Sequence, residues 1–343
     1  MPPLLEVCVV QEQQATEGAT RSGRQLIDAT RPFAVERLAV SWFHVLSTLA
    51  LLGLGTFVAA QPLFWPLRLA AAVFNGLVLV RGFILYHDHL HGALLRGSSA
   101  AKVLLYPLGV YVMAAPNVWR ETHNYHHAHA AKLVGSNIGS YAMMSTDQWA
   151  RSSRAERLRY AVIRHPLNVL LGYFTIFMLE MCLLSFLRSP RKRWDSLLAF
   201  AANWAISITL WVKFGFAVFL FCHFLPLAIA TTAGAYLFYA QHNFADAHIQ
   251  PREQWSYDRA AIESSSYMEM GPLMHWFTGN IGYHHVHHLN PTIPFYRLPE
   301  AMAAIPELQS PGKTSLSPKD IAACFALKVW DPEKNQMTDY PSA

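Results

Sequence analysis

The residues best suited to metal chemistry in this sequence are histidines, and they occur in short groups. The chain contains 17 histidines, and eight of them stand at ligand spacing in the segments HDHLH, HNYHH and HHVHH. On a helix, residues three or four positions apart lie on one face, with about 6 Å between their β-carbons. Each segment is therefore expected to turn two or three imidazoles toward a common point. The eight residues are His87, His91, His123, His126, His127, His284, His287 and His288.

A single pair of this kind has a simpler interpretation, as polar residues at an interface or hydrogen-bonded histidines in a core. Histidine is a minority residue, so three groups with ligand spacing in one chain weigh against that interpretation for the whole set. A metal transporter or sensor would more often carry irregular, low-complexity histidine tracts. The short and regular spacing instead predicts a defined metal site.

Ligand type and number indicate the metal. The four cysteines, Cys8, Cys182, Cys222 and Cys324, are scattered without CxxC spacing, so neither a thiolate site nor a disulfide framework is expected. Eight or nine imidazoles exceed what one tetrahedral or octahedral ion can bind, which predicts two ions. Imidazole suits iron, whereas zinc has no redox chemistry to offer. We therefore expect two non-haem iron ions.

Composition places these histidines in a membrane protein. Hydrophobic residues make up 53% of the chain and charged residues only 14%, and the mean hydropathy is +0.19. The apolar residues come in runs near 20 residues, enough for a helix to cross about 30 Å of hydrocarbon. The net charge of +5 is assigned to arginines and lysines flanking these runs, since no basic face with interleaved aromatics indicates nucleic-acid binding. Four spans are predicted, at 41–61, 69–86, 197–212 and 216–240.

Two further apolar stretches are interpreted as elements that do not cross. Residues 101–116 are too short and contain Pro107, so an interfacial or re-entrant element is expected. Residues 167–187 are long enough to span but carry Glu180, and the Arg- and Lys-rich loop that follows should stay in the cytosol. This stretch is therefore expected to enter the membrane and return. Arg81, near the far end of the second run, is expected to snorkel to the surface.

The predicted fold is an all-α integral membrane protein with about four transmembrane helices, re-entrant or interfacial helices and a cytosolic helical cap. Residues 1–40 are predicted to be a cytosolic N-terminal segment without a signal sequence, and residues 41–343 a single membrane domain. With four spans, all three histidine groups lie on the cytosolic side. If 167–187 crossed instead, the third group would be stranded on the opposite side, so the metal site favours the re-entrant interpretation.

Other histidines and acids are candidates for supporting roles. His242, at the end of the last apolar run, is either a ninth ligand or a polar residue at the interface. Three histidines lie within or beside the groups but off the common face: His89, His129 and His285. Five more are expected to be structural: His44, His165, His223, His248 and His275. Four acids could orient ligand imidazoles through their second N–H, and Asp246 is the strongest candidate. The four are Asp88, Glu121, Asp246 and Glu269. Asn280 is at best a polar neighbour of the site.

From Val80 to Pro299 the sequence resembles the membrane fatty acid desaturases. HDHLH, HNYHH and NIGYHHVHHLNPTIPFYRL are similar, in order and separation, to the three histidine boxes of that family, and LFYAQHNFAD resembles the segment before the third box in its acyl-lipid, delta-12 or omega-type branch. The resemblance implies a di-iron centre that uses O2 to remove two hydrogens from a fatty acyl chain and leave a cis double bond. Its implied ligands are His87, His91, His123, His126, His127, His242, His284, His287 and His288.

The sequence also departs from some relatives of this family. It has no HPGG haem motif and no flavin or NAD fingerprint, so electrons are expected to come from a separate ferredoxin or cytochrome b5-type donor. The same boxes occur in lipid hydroxylases and in carotenoid ketolases or hydroxylases, which stay open as alternatives, as does a metal transporter or sensor. Four aromatic residues are candidates for an acyl tunnel, with core packing as the alternative: Trp119, Trp204, Tyr236 and Phe238.

Overall fold

Four long apolar helices form the part of the chain suited to a bilayer. The computed structural model describes residues 20–133, 135 and 138–341. Within these residues, four helices are long and apolar enough to cross a membrane: Leu38–Ala60, Trp65–His91, Trp194–Phe214 and Phe216–Ala240. We number them first to fourth. The all-α fold and the number of spans agree with the prediction, and the second helix continues beyond the apolar run 69–86 to His91.

Local sequence explains how these helices end and what they face. Gly92 ends the second helix in the left-handed conformation, with φ of 72°. Gly215, with φ of 88°, makes the turn between the third and fourth helices in a conformation that glycine adopts readily. Many of the side chains exposed on the first and third helices are large and apolar, such as Phe57 and Trp211. Such a surface is suited to lipid.

The second helix lies at the centre of the bundle and packs against both the first and the fourth. At Gly76 an added β-carbon would lie 2.7 Å from the Ile229 side chain of the fourth helix, so only glycine permits this close approach. The close packing brings the C-terminal ends of the second and fourth helices to the same side of the bundle, where the first histidine group and His242 follow.

Arg81 does not snorkel to the surface, and that prediction was wrong. Its side chain is buried, and its guanidinium donates to His44 Nδ1 at 2.9 Å, to Thr48 Oγ1 at 3.3 Å and to the carbonyl of Trp276. The guanidinium also lies over the rings of Trp276 and Phe295. Because the neighbouring helix and the cap supply these partners, the charge is satisfied inside the protein.

A bent helix pair carries the second histidine group toward the bundle. Helix Ser99–Tyr111 and helix Pro116–His129 meet at 86°. The first of them has 13 residues, or about 20 Å of helix, too short to cross alone. This agrees with the non-crossing element predicted at 101–116, and the bend aims HNYHH at the ends of the second and fourth helices.

Residues 166–188 enter and leave the bundle on one side. They form three consecutive helical segments: the α-helix Pro166–Leu170, the π-helix Tyr173–Leu184 and the α-helix Ser185–Arg188. Tyr173 donates to Asn203 Oδ1, which lies about 13 Å along the third helix from its start. Ser185 then contacts Arg193, just before that start. This course agrees with the re-entrant segment predicted at 167–187.

A cap of short elements covers the histidine end of the bundle. The described N-terminal residues pack on this cap, where Arg21 pairs with Glu307 at 2.7 Å and the Gly23 N–H donates to Asp258 at 2.7 Å; residues 1–19 of the predicted N-terminal segment lie outside the described residues. The helices outside the membrane part are Gly23–Thr30, Arg31–Ala34, Thr146–Arg151, Arg154–Ile163, Arg252–Gln254, Tyr257–Glu263, Pro272–Phe277, His284–Leu289, Phe295–Arg297, Leu298–Ala304, Pro306–Leu308 and Pro318–Ala326.

Two small sheets also belong to the cap, beyond the helices that were predicted. In one, Tyr267–Glu269 pairs in parallel with Lys313–Ser315. In the other, Val329–Asp331 pairs antiparallel with Gln336–Thr338. Strands this short give a weak alternating pattern, and the sequence offers no clear signal for them.

Replacing Gly76 by alanine should destabilise the bundle. The new β-carbon would press on Ile229, and such overpacking costs about 1–3 kcal/mol. The midpoint of thermal unfolding in detergent should therefore fall. Gly53→Ala is the matched control, because Gly53 lies in the first helix with nothing within 4 Å of an added β-carbon. There alanine should be neutral or stabilising. Equal midpoints for the two variants would contradict the close packing at Gly76.

Candidate metal centre

Four separate elements bring nine histidines together. The last turns of the second helix carry His87 and His91, one helical turn apart. The helix Pro116–His129 carries the second group and the short helix His284–Leu289 carries the third. His242 lies just past the end of the fourth helix. All nine predicted ligand residues meet at this point, in two adjacent groups.

The first group contains five histidines whose Nε2 atoms converge. Consecutive Nε2 atoms lie 3.2 Å apart for His91 and His87, 2.8 Å for His87 and His123, 3.1 Å for His123 and His127, and 3.1 Å for His127 and His287. Four of the side chains are buried and His91 is half-buried. We call these residues the five-histidine group.

The second group contains four histidines arranged as a closed ring of contacts. Going round the ring, the Nε2 atoms are separated by 3.0 Å from His126 to His242, 2.9 Å from His242 to His284, 3.1 Å from His284 to His288 and 3.2 Å from His288 back to His126. We call these residues the four-histidine group. It lies directly beside the first, since the rings of His127 and His288 are stacked with centroids 4.2 Å apart.

Each HxxHH segment is divided between the two groups, which the sequence did not predict. In the second segment, His123 and His127 belong to the five-histidine group while His126 turns to the other. In the third segment, His284 and His288 belong to the four-histidine group while His287 turns to the first. Residues four apart thus share a group, and the residue immediately before the second of them, turned by about 100° around the helix, belongs to the neighbouring group. The spacing makes two adjacent centres from one helix face.

Hydrogen bonding among imidazoles does not account for this arrangement. An Nε2 atom either donates one N–H or offers one lone pair, so a closed ring of four Nε2 atoms satisfies at most two of its four contacts. A cation at the centre accepts all four lone pairs together. Nitrogens at neighbouring corners of an octahedral ion with bonds of about 2.1 Å lie about 3.0 Å apart, close to the separations seen here. The donor set therefore fits a metal ion in each group.

Two of the imidazoles are oriented by hydrogen bonds at Nδ1. The Nδ1–H of His87 donates to Asp88 Oδ1 at 3.0 Å, and Asp88 Oδ2 accepts from the N–H of Phe295 at 2.8 Å. The Nδ1–H of His242 donates to the carbonyl of Ser264 at 3.0 Å. Both bonds leave the Nε2 lone pair facing the group, as metal ligation requires. The backbone N–H of Phe295 and the backbone carbonyl of Ser264 take part in this orientation. Neither contact can be predicted from the sequence.

The other three candidate acids do not orient these imidazoles. Glu121 pairs with Arg193 at 3.0 Å, and Glu269 pairs with Lys313 at 2.8 Å. Asp246, the strongest candidate from sequence, lies exposed at the surface. Of the four, only Asp88 contacts a histidine of the groups through the hydrogen bonds of the described residues. Asp88 contacts its sequence neighbour His87, whereas the fold directs the remaining carboxylates to basic partners or solvent.

The histidines that were set aside do lie outside the two groups. His285 is buried, but its Nε2 faces the carbonyl of Leu308, 3.1 Å away. His129 stacks on Tyr125 with ring centroids 3.9 Å apart. His89 is bonded to the carbonyl of Leu94. The five histidines expected to be structural contact other partners: His44 contacts Arg81, His165 the Leu167 N–H, His223 Tyr111 and Ser207, His248 Asn335, and His275 Tyr267.

Burial keeps the imidazoles of the two histidine groups neutral. It lowers the pKa of His242 to about 4 and holds the pKa values of His284, His287 and His288 well below the usual range. A neutral imidazole is the form that binds metal, so protons do not compete for these nitrogens near neutral pH.

Aromatic side chains cover the outer faces of both groups. Trp119 stacks on His123 with centroids 4.9 Å apart, and Phe238 lies 4.9 Å from His126. Of the other two tunnel candidates, Trp204 is exposed on the third helix and Tyr236 packs on Phe325. The predicted polar neighbour Asn280 bonds instead to the carbonyl of Phe295.

Known proteins resemble this chain across the region that holds the histidines. A family model described as fatty acid desaturase matches residues 60–317, a range that contains all nine. A fatty acid desaturase of Bacillus subtilis (strain 168) is 30% identical over 275 residues, 80% of this chain and 78% of the relative. A probable fatty acid desaturase DES1 of Sorghum bicolor is 26% identical over 317 residues, 84% of this chain and 77% of the relative.

Replacing Asp88 by asparagine should weaken metal binding. The amide cannot hold the His87 Nδ1–H as the carboxylate does, and loss of such an orienting partner lowers metal affinity by about 10- to 100-fold. Competition with a chelator, followed by metal analysis of the purified protein, measures the change. Glu121→Gln is the matched control, since Glu121 lies on the histidine-bearing helix but pairs with Arg193. Equal affinities for the two variants would refute the role of Asp88.

Proposed function

Because the chain belongs to the fatty acid desaturase family, we propose that it is a membrane oxidoreductase that introduces a cis double bond into a fatty acyl chain at the expense of O2. The convergence of nine buried or half-buried imidazoles into two adjacent groups carries this proposal. Removing hydrogen from an unactivated methylene is beyond amino-acid side chains alone, so a cofactor must supply that chemistry.

The proposed cofactor is a pair of non-haem iron ions. The five-histidine group would hold one ion and the four-histidine group the other, with no carboxylate ligand among the nine. Imidazole nitrogen suits iron, and the absence of thiolates from both groups argues against a soft-metal site. When bound, the iron pair supplies the redox reaction with O2. No haem, flavin or nicotinamide site is required on this chain.

The side chains of this chain would position the metals and exclude water. Asp88 and the Ser264 carbonyl fix the ring orientation of His87 and His242. Trp119 and Phe238 present apolar surface directly against the histidines. We propose that an acyl methylene lies beside this surface, where apolar contact and not charge holds it, and that its position relative to the metals decides which bond reacts.

The proposal also covers the membrane side on which the histidines lie, the electron donor and the substrate. The Arg- and Lys-rich loop at 188–193 supports a cytosolic location for the side that carries the histidines. Electrons would come from a separate ferredoxin or cytochrome b5-type protein on that side. Residues 41–343 would form the single membrane domain, with residues 1–40 as its cytosolic N-terminal segment. The acyl substrate would be a membrane lipid, and no nucleic acid is involved.

Expression in a bacterial strain that lacks endogenous desaturation should give new unsaturated acyl chains. Gas chromatography with localisation of double bonds measures the product. His287→Ala removes a member of the five-histidine group and should abolish it. His129→Ala is the control and should leave the product unchanged, because His129 ends the same helix as the second histidine segment but stacks on Tyr125 and belongs to neither group.

Other outcomes would point to other functions. Hydroxy or keto products in place of double bonds would assign the same centre to a hydroxylase or ketolase. Altered metal uptake without any new lipid would favour a transporter or sensor. Full desaturation by His287→Ala would contradict the proposed metal site itself.

A further inference from the structure

The proposed reaction requires small polar molecules to reach and leave a buried centre. Converting –CH2–CH2– to –CH=CH– with one O2 consumes two protons and two electrons and releases two molecules of water. The electrons come from the donor protein, but the protons and the water must pass through this chain. The inference below rests on the proposed function, since only an O2-reducing centre has this requirement.

A cavity with both polar and apolar lining residues borders the four-histidine group. It has a volume of about 40 Å³ and is lined by His126 and His242 from that group. A cavity needs about 10–15 Å³ for each water, so this one has room for a few. Tyr141, Asn243 and Ser264 are also among its lining residues. Phe238 also lines this cavity, whereas Trp119 lies against the other group, at His123.

Two buried side chains in the cavity wall have polar atoms without protein partners. Tyr239 is 1% exposed, and its hydroxyl has no hydrogen-bond partner among the described residues. Arg164 is also 1% exposed, and its Nε–H likewise has none. Buried polar atoms are rarely left unpaired, and where they border a cavity large enough for water the usual partner is ordered water.

Arg164 also carries a charge without a carboxylate partner among the described residues. Its guanidinium donates to the carbonyls of Ala142 and Leu327 and to Asn243 Oδ1, all of them neutral acceptors. A buried cation held only by neutral groups orients nearby water dipoles and attracts small anions. The cavity therefore combines space, two unpaired donors and a fixed positive charge beside two ligand histidines.

We infer that this cavity is the route by which water-sized species exchange with the four-histidine centre, carrying protons in and water out. Tyr239 acts as a positioning residue that orders the water chain, and Arg164 fixes the orientation of that chain.

Azide binding to the oxidised, iron-loaded protein tests the route without turnover. Azide is small and anionic, and its binding to iron gives a new charge-transfer absorption whose rate of appearance can be followed. Ala131→Leu adds bulk to the cavity wall and should slow the rate by about tenfold, which corresponds to about 1.4 kcal/mol in the barrier. Ala128→Leu, the same substitution at an exposed position of the adjoining helix, should leave the rate unchanged.

The outcome of that experiment is decisive for the route. An unchanged azide rate in Ala131→Leu, with wild-type iron content and unfolding temperature, would overturn the inference while leaving the desaturase proposal intact. Absence of bound iron or of desaturated lipid with the wild-type protein would instead contradict the proposed function.

A second pair of variants tests the water chain during turnover. Tyr239→Phe should raise the solvent deuterium isotope effect on product formation and lower the rate by about tenfold or more, since a positioned proton path is lost. Tyr236→Phe is the control, because its hydroxyl is also buried without a partner but the residue does not line the cavity. An equal isotope effect in the two variants would overturn the role assigned to Tyr239.

Discussion

The convergence of nine imidazole Nε2 atoms is the constraint on which the rest of this structure depends. Lone pairs about 3 Å apart repel one another unless a cation lies between them, and no pattern of N–H donation satisfies the closed ring of the four-histidine group. Four elements far apart in sequence must end at the same point to build it. The long second helix, the 86° bend and the re-entrant segment are the means by which they do so.

A network of contacts across the bundle links the buried Arg81 to the buried His87. Arg81 joins the first helix, through His44, to the cap, through Trp276 and the ring of Phe295. The N–H of Phe295 in turn holds Asp88, which orients His87. A charge buried in a membrane bundle is costly in free energy unless polar or aromatic groups surround it as they do here. The same contacts that satisfy the arginine thus help to position His87.

Sequence reasoning succeeded where the signal is local and periodic. The helical spacing in HDHLH and HNYHH predicted which histidines converge, and the apolar runs predicted the four spans, because both depend on residues within a few turns of one another. It failed where the outcome depends on distant partners. Arg81 was misplaced because its acceptors are 37 and 195 positions away, and Asp246 was preferred over Asp88 because nearby sequence does not reveal which carboxylate faces a ring. The division of each HxxHH segment between two centres also required the fold, since one helix face is compatible with either one centre or two.

Mössbauer spectroscopy of the protein loaded with ⁵⁷Fe tests the central claim most directly. Two histidine-only centres with five and four ligands should give two distinct iron environments of equal area, at about two irons per chain. Replacing His242 by alanine should alter the environment at the four-histidine group and leave the other in place. A single iron environment, or one iron per chain in the fully loaded wild-type protein, would contradict the division of the nine histidines into two metal sites.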